Sequence, residues 1–196
     1  MKISFAELAA KSPPADAVIV LPVGADKKLS ATGQALDKQA GGTLSKALSS
    51  GKFAGKSGQF CTVITGGKGK TSHVILAGFG AAKSLNETAL ENLGGGAVPY
   101  IEATRATSAT FVFDIKGTPV SHAEAAARIA HGANLRLWRF DKYFTKTKAE
   151  DKPVLKSFTL AAAGAKNAAK AYAPLEKISD GIFLTREVVS EPANVI

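Results

Sequence analysis

Lysine is the residue type whose placement stands out. Between Lys38 and Asn86 the chain carries seven cations (Lys38, Lys46, Lys52, Lys56, Lys68, Lys70 and Lys83) and no acid. The whole chain has 25 basic and 16 acidic residues, net +9, yet beyond residue 150 it is nearly balanced, so the excess is local. Clustered lysines can neutralise phosphates. Base readout and stacking, however, draw on arginine and exposed aromatic rings, and this run has no arginine and only Phe53, Phe60 and Phe79. It predicts a solvated lysine-rich face, with Lys52, Lys56, Lys68 and Lys70 as candidate polyanion contacts.

Two segments approach a phosphate loop without matching it. Gly51-Lys52-Phe53-Ala54-Gly55-Lys56-Ser57 is one residue short of G-x-x-x-x-G-K-[ST], and Gly69-Lys70-Thr71 has Ile64 where the first glycine belongs. Both precede strand-like sequence, whereas a phosphate loop must open a helix. Gly78-Phe79-Gly80 follows a strand, but Lys83 stands where a dinucleotide fingerprint needs its third glycine. Gly94-Gly95-Gly96 lies in helix-like sequence, where each glycine costs about 1 kcal/mol relative to alanine. It fits a close helix–sheet contact, a helix break or a phosphate-binding loop, and close packing is the expectation.

Metal and nucleophile chemistry is sparse. His122 and His131 are nine residues apart, on opposite faces of a helix, and His73 begins a strand. Cys61 lies among Phe60, Val63 and Ile64 and is expected to be a buried, inert thiol. Asp16, Asp26, Asp37, Asp114 and Asp141 are scattered along the chain, with no close-spaced pair suited to acid–base work. No catalytic, cofactor-binding or metal-ligating residue is expected. The cluster Arg136 to Phe144, with Trp138, Phe140 and Tyr143, predicts a helix end anchored in the core with arginines at the rim.

Short apolar runs must position these residues. Ala17–Pro22, Phe60–Thr65, His73–Ala77, Ala109–Ile115 and Phe158–Ala162 read as strands, and Lys2–Phe5 as an edge strand. Ser84-Leu85-Asn86-Glu87 and Ser121-His122-Ala123-Glu124 match the helix-opening capping box. Strands alternating with helices predict an α/β domain with a mostly parallel or mixed sheet. Near the end, Leu175, Ile178, Ile182, Thr185 and Val189 form one stripe of a helix over about 166–190, kinked or restarted at Pro174 and stopped by Pro192. That helix either folds back on the sheet or links to a further domain.

At 196 residues and 20.2 kDa the chain is one domain, or one domain plus an appendage, large enough to bury roughly 70% of its unfolded surface. One cysteine excludes an internal disulfide framework. Without a signal-like apolar run or a bilayer-length segment, the expectation is a soluble cytoplasmic protein with no membrane partner.

Two segments together resemble the leucyl (cytosol) aminopeptidase family. Leu184-Thr185-Arg186-Glu187-Val188-Val189-Ser190-Glu191-Pro192-Ala193-Asn194-Val195-Ile196 is similar to the opening of that family's catalytic domain. Gly132-Ala133-Asn134-Leu135-Arg136-Leu137-Trp138-Arg139-Phe140-Asp141-Lys142-Tyr143 is similar to its helix-to-F-D-K-Y stretch. Weaker similarity covers residues 16–20 and 51–56, where Lys52 stands in place of an acid.

The resemblance implies a three-layer, macro-domain-like mixed sheet flanked by helices over residues 1–163. A linker helix and the first residues of a catalytic domain would follow over 164–196. It implies a hexameric, cytoplasmic parent enzyme that removes N-terminal residues from peptides using two divalent ions, zinc or manganese. The family's ligands and catalytic residues lie beyond its E-P-A-N segment, so none transfers here, and the 196 residues alone are expected to be inactive. Their role would be assembly or regulation beside their own catalytic domain. Two rival readings are a stand-alone macro-like module binding ADP-ribose or a related nucleotide, with Gly94–Gly96 in its phosphate loop, and a DNA-binding accessory domain using Lys52, Lys56, Lys68 and Lys70.

Overall fold

The computed structural model describes residues 1–8, 16–66 and 71–195. Strands β1 (Lys2–Glu7), β2 (Val18–Gly24), β3 (Phe60–Ile64), β4 (His73–Gly80), β5 (Ser108–Phe113) and β6 (Ser157–Ala162) form one sheet in the order β1-β6-β5-β2-β4-β3. All neighbours pair in parallel except β3, which runs antiparallel to β4. Helices α1 (Ala31–Gln39) and α2 (Thr43–Ser50) follow β2. Helices α3 (Glu87–Ala103), α4 (His122–Leu137) and α5 (Ala165–Ser190) follow β4, β5 and β6.

The period-2 alternation of the strands builds two cores. Along β2, Val18 and Val20 face one way and Ile19, Leu21 and Val23 the other, all buried. The first face packs Ile75, Phe111 and Phe158 under α3, α4 and α5; the second packs Val74 and Leu76 under Leu36, Leu44 and Leu48 of α1 and α2. A sheet covered on both faces needs continuous apolar strands, which β2 supplies. Pro22 does not stop the strand. It sits beyond Ile19 and Val20, the registered positions of the β2–β5 ladder, so its missing N–H interrupts no registered pair there.

Caps decide where the helices begin. Asn86, not Ser84, opens α3 by accepting from Ala89 N at 2.9 Å; Ser84 instead closes a 3₁₀ turn over Ala82–Ser84. Ser121 opens α4 by accepting from Glu124 N at 3.2 Å, while the Glu124 carboxylate turns outward to Arg128 Nε at 2.9 Å. Only half of the predicted box forms there. The α2 cap, Gly42, has no side chain, and Asp37 takes over, accepting from Leu44 N and Ser45 N.

Helix α3 carries Gly94, Gly95, Gly96 and Pro99, a poor set for an isolated helix. Packing explains them. A Cβ on Gly94 would lie 2.0 Å from the Ile129 carbonyl oxygen, and one on Gly132 of α4 1.9 Å from that of Glu91. The backbones of α3 and α4 therefore touch, which only glycine permits. The expected close contact exists, but Gly94 meets a helix rather than the sheet; Gly96 alone faces a strand side chain, the Phe60 ring. With all three glycines in mid-helix, the phosphate loop of the nucleotide-binding rival does not form.

Helix α5 folds back onto β1 and α4 and runs through Pro174. Its N-cap, Gly164, has no side chain. Glu7, at the end of β1, accepts from Gly164 N and Ala165 N at 3.0 Å each, and these bonds hold its carboxyl below the usual carboxylate value. The buried face is Ala168, Tyr172, Leu175 and Ser179, not the predicted stripe: Leu175 is shared, but Ile178 and Val189 are 53% and 78% exposed. Tyr172 packs against Phe5 at 5.5 Å, and burial pushes its hydroxyl up to about 12. Among the described residues, no helix is long and apolar enough to cross a membrane.

Candidate functional site

The carboxyl ends of β2, β4 and β5 open into a cleft of about 920 Å³. Helix α1, which follows β2, covers one face of the sheet, while α3 and α4 cover the other. Chains that diverge in this way leave a crevice at the strand ends, where α/β folds hold ligands. Its walls are mainly apolar (Leu8, Pro22, Leu29, Phe79, Phe113 and Ile115), with Asp26, Ser30, Thr32, Gln34, Asp114 and His122 among the polar groups and Lys28 and Lys116 exposed.

The bonds in this cleft are unevenly spent. Asp114, directly after β5, accepts from Thr32 N in the first turn of α1 at 3.3 Å through Oδ2; its Oδ1 is buried with no hydrogen-bond partner among the described residues. Ser30 accepts from Gly33 N at 3.2 Å, so two of the free amides of α1 already have partners. His122 Nε2 lies 2.9 Å from the Ile115 carbonyl oxygen. A carbonyl only accepts, so Nε2 carries a proton and donates to it. Asp26 accepts from Lys28 N at 3.2 Å.

The acids that look scattered in sequence divide by role. Asp16 fastens β5 through Ser108 Oγ and Thr110 Oγ1 at 2.6 and 3.1 Å, and Asp37 caps α2. Asp26 and Asp114 both line the cleft, which sequence reasoning missed. The available signal was an acid just past the ends of two buried strands, β2 and β5.

The glycine–lysine segments serve the backbone. Gly55, at φ +65°, presses so closely on Gly24 that a Cβ would fall 2.0 Å from the Gly24 carbonyl oxygen. Gly80 N donates to Gly55 O at 2.8 Å and Gly78 N to Gln59 O at 2.7 Å, docking segment 51–59 onto β4. Lys52 and Lys56 are exposed on that segment; Lys68 and Lys70 lie outside the described residues, as does most of the expected 66–70 turn. Cys61 is half-buried on the edge strand β3 rather than enclosed. Among the described residues, no group of three or more His, Cys, Asp or Glu side chains could hold a metal ion, so the zinc or manganese of the resemblance has no fitting residues there.

The aromatic cluster after α4 also departs from expectation. Trp138 and Phe140 are half-buried and stack at 6.4 Å, while Tyr143 and Phe144 are 46% and 68% exposed. Rather than anchoring in the core, the cluster clasps the end of α5. Arg186 lies over Trp138 at 5.7 Å and donates to Leu135 O at 2.9 Å. Glu191 accepts from Lys142 Nζ at 2.7 Å and from the Tyr143 hydroxyl. These bonds, Lys142 first, hold the Glu191 carboxyl low. Between α4 and α5, His131 Nδ1 meets Ser179 Oγ at 3.0 Å, and burial holds the ring below its ordinary value against the opposing pull of Glu91.

Comparison with known proteins agrees with this fold. The description "Cytosol aminopeptidase family, N-terminal domain" matches residues 20–147. A probable cytosol aminopeptidase of Caulobacter vibrioides is 34% identical over 168 residues, covering 86% of this chain and 33% of the relative. Another, from Gluconobacter oxydans, is 34% identical over 197 residues, covering 98% of this chain and 37% of the relative. The chain thus spans about a third of the length of the curated relatives it matches. Among solved structures, a mutant of tomato leucine aminopeptidase superposes with a TM-score of 0.82 at 22% identity, over 100% of this chain and 39% of that one. The bottromycin maturation enzyme BotP in complex with Mn gives 0.66 at 21% identity, over 92% of this chain and 33% of that one. With the match running from β2 to beyond α4, the chain belongs to the cytosol aminopeptidase family and forms that family's N-terminal domain.

Proposed function

We propose that these residues are the non-catalytic part of a metal-dependent aminopeptidase that removes N-terminal residues from peptides in the cytoplasm. The match over residues 20–147 carries this reading, because it covers the body of the α/β unit in relatives about three times as long. Zinc or manganese, the peptide site and the catalytic residues belong on this reading to the remaining two thirds of the relatives' length. Residues 1–163 form the N-terminal domain, and 164–196 the linker helix leading to its partner.

The domain's role is assembly, within a hexamer, and restriction of access to the active sites. The C-terminal half of α5 supports this, since Leu184, Val188 and Val189 leave an apolar surface open. Removing residues 1–190, helix α5 included, from a longer protein carrying this chain tests the role. Sedimentation should show loss of the hexamer, and longer peptides should be cleaved faster relative to dipeptides. An unchanged hexamer with unchanged length preference overturns it.

A further inference from the structure

The cleft at the ends of β2, β4 and β5 has the chemistry of a binding site, and we propose that it takes a small molecule presenting a protonated amine on an apolar body. Its volume, about 920 Å³, is that of a ligand pocket, and its walls are mostly apolar with few polar groups. Among the described residues, the buried side-chain polar atom left unpaired there is an acceptor. Asp114 Oδ1 is buried with no hydrogen-bond partner among the described residues, while Gln34 and His122 already donate an N–H each to the Leu29 and Ile115 carbonyls. A buried acceptor without a donor is costly, so the site calls for N–H groups.

The same pattern argues against a phosphate or other anion. Helix α1 would ordinarily offer its free amides to one. Here Thr32 N is committed to Asp114 and Gly33 N to Ser30, so the helix end already faces a carboxylate of the protein itself. The cations Lys28 and Lys116 are exposed, where solvent and salt screen them. An ammonium group paired with Asp114 forms a charge-assisted bond, the stronger kind, while Phe79 and Leu29 meet the apolar body. The inference is independent of the peptidase reading, since the site is built within this chain.

Calorimetric titration of the 196-residue chain with phenethylamine at pH 7 tests it. Saturable binding is expected, at least tenfold tighter than for 2-phenylethanol, its uncharged isostere. Asp114→Asn keeps an oxygen for Thr32 N but removes the charge, and should weaken binding at least tenfold. Ala81→Trp, an exposed substitution at the mouth, should abolish it while leaving the circular dichroism spectrum unchanged. No saturable heat at millimolar ligand, equal affinity for the alcohol, or full binding by either folded variant overturns the proposal. So does Asp114-dependent binding of adenosine, whose amine is uncharged, in place of phenethylamine.

Discussion

One carboxylate and one histidine help hold the packing of α5, both in their deprotonated forms but in different pH windows. Glu7 caps the helix from the end of β1, and its depressed value means that it binds a proton more readily unfolded than folded. Its contribution is complete above the ordinary carboxylate value of 4.5 and is lost as pH falls through the lower folded value. Thermal melts from pH 7 to 3 should show this acid limb, and Glu7→Gln should melt a few degrees lower at pH 7 with the limb reduced. His131 acts in a different window. Buried as a neutral ring between α4 and α5, with Glu91 and Arg128 as the charges that act on it, it favours folding above 6.5 and less so as pH falls. The melting temperature should therefore drop between pH 7 and 5.5, before the carboxylates titrate, and His131→Leu should flatten that drop.

At the scale of elements, the glycines of α3 separate backbone contact from propensity. Gly94→Ala gains about 1 kcal/mol of helix propensity but forces apart two backbones that leave 2.0 Å for the new carbon. Urea unfolding should show a net loss of at least about 2 kcal/mol, because overpacking against backbone outweighs the gain. Gly95→Ala, with 3.1 Å to the Gly132 carbonyl oxygen, should stay within about 1 kcal/mol of the unsubstituted chain. If both substitutions behave alike, the helix contact is not what selects these glycines.

The strands were legible because β-branched runs such as Val18–Val20 belong to a sheet buried on both sides. Helix α5 was legible in extent but not in orientation. Its buried face contains Ala168 and Ser179, small or polar residues that hydropathy passes over, while its larger apolar residues toward the C-terminus stay exposed. The cleft was not legible, since Thr32 and Asp114 lie 82 residues apart and only the crossing of chains at the strand ends joins them.

At the scale of the whole molecule, the chain has two cores and an open apolar edge. The sheet and four of its helices close on themselves, whereas the last turns of α5 carry Leu184 at 65% and Val189 at 78% exposure beside the Glu191 clasp. If that edge receives the rest of an aminopeptidase, Leu184→Glu should leave the melting temperature of the 196-residue chain within about 2 °C, as an exposed substitution should. In a longer protein carrying this chain, it should lower the yield of assembled enzyme. Equal effects in both settings would assign the residue to the domain's own packing instead.

The most direct measurement is hydrolysis of leucine p-nitroanilide with added manganese, run in parallel on the purified 196-residue chain and on a longer protein that contains it. Nitroaniline should be released by the longer protein only, with the chain alone at the buffer rate. Turnover by the chain alone, abolished by a chelator, would contradict it and place peptidase chemistry within these residues.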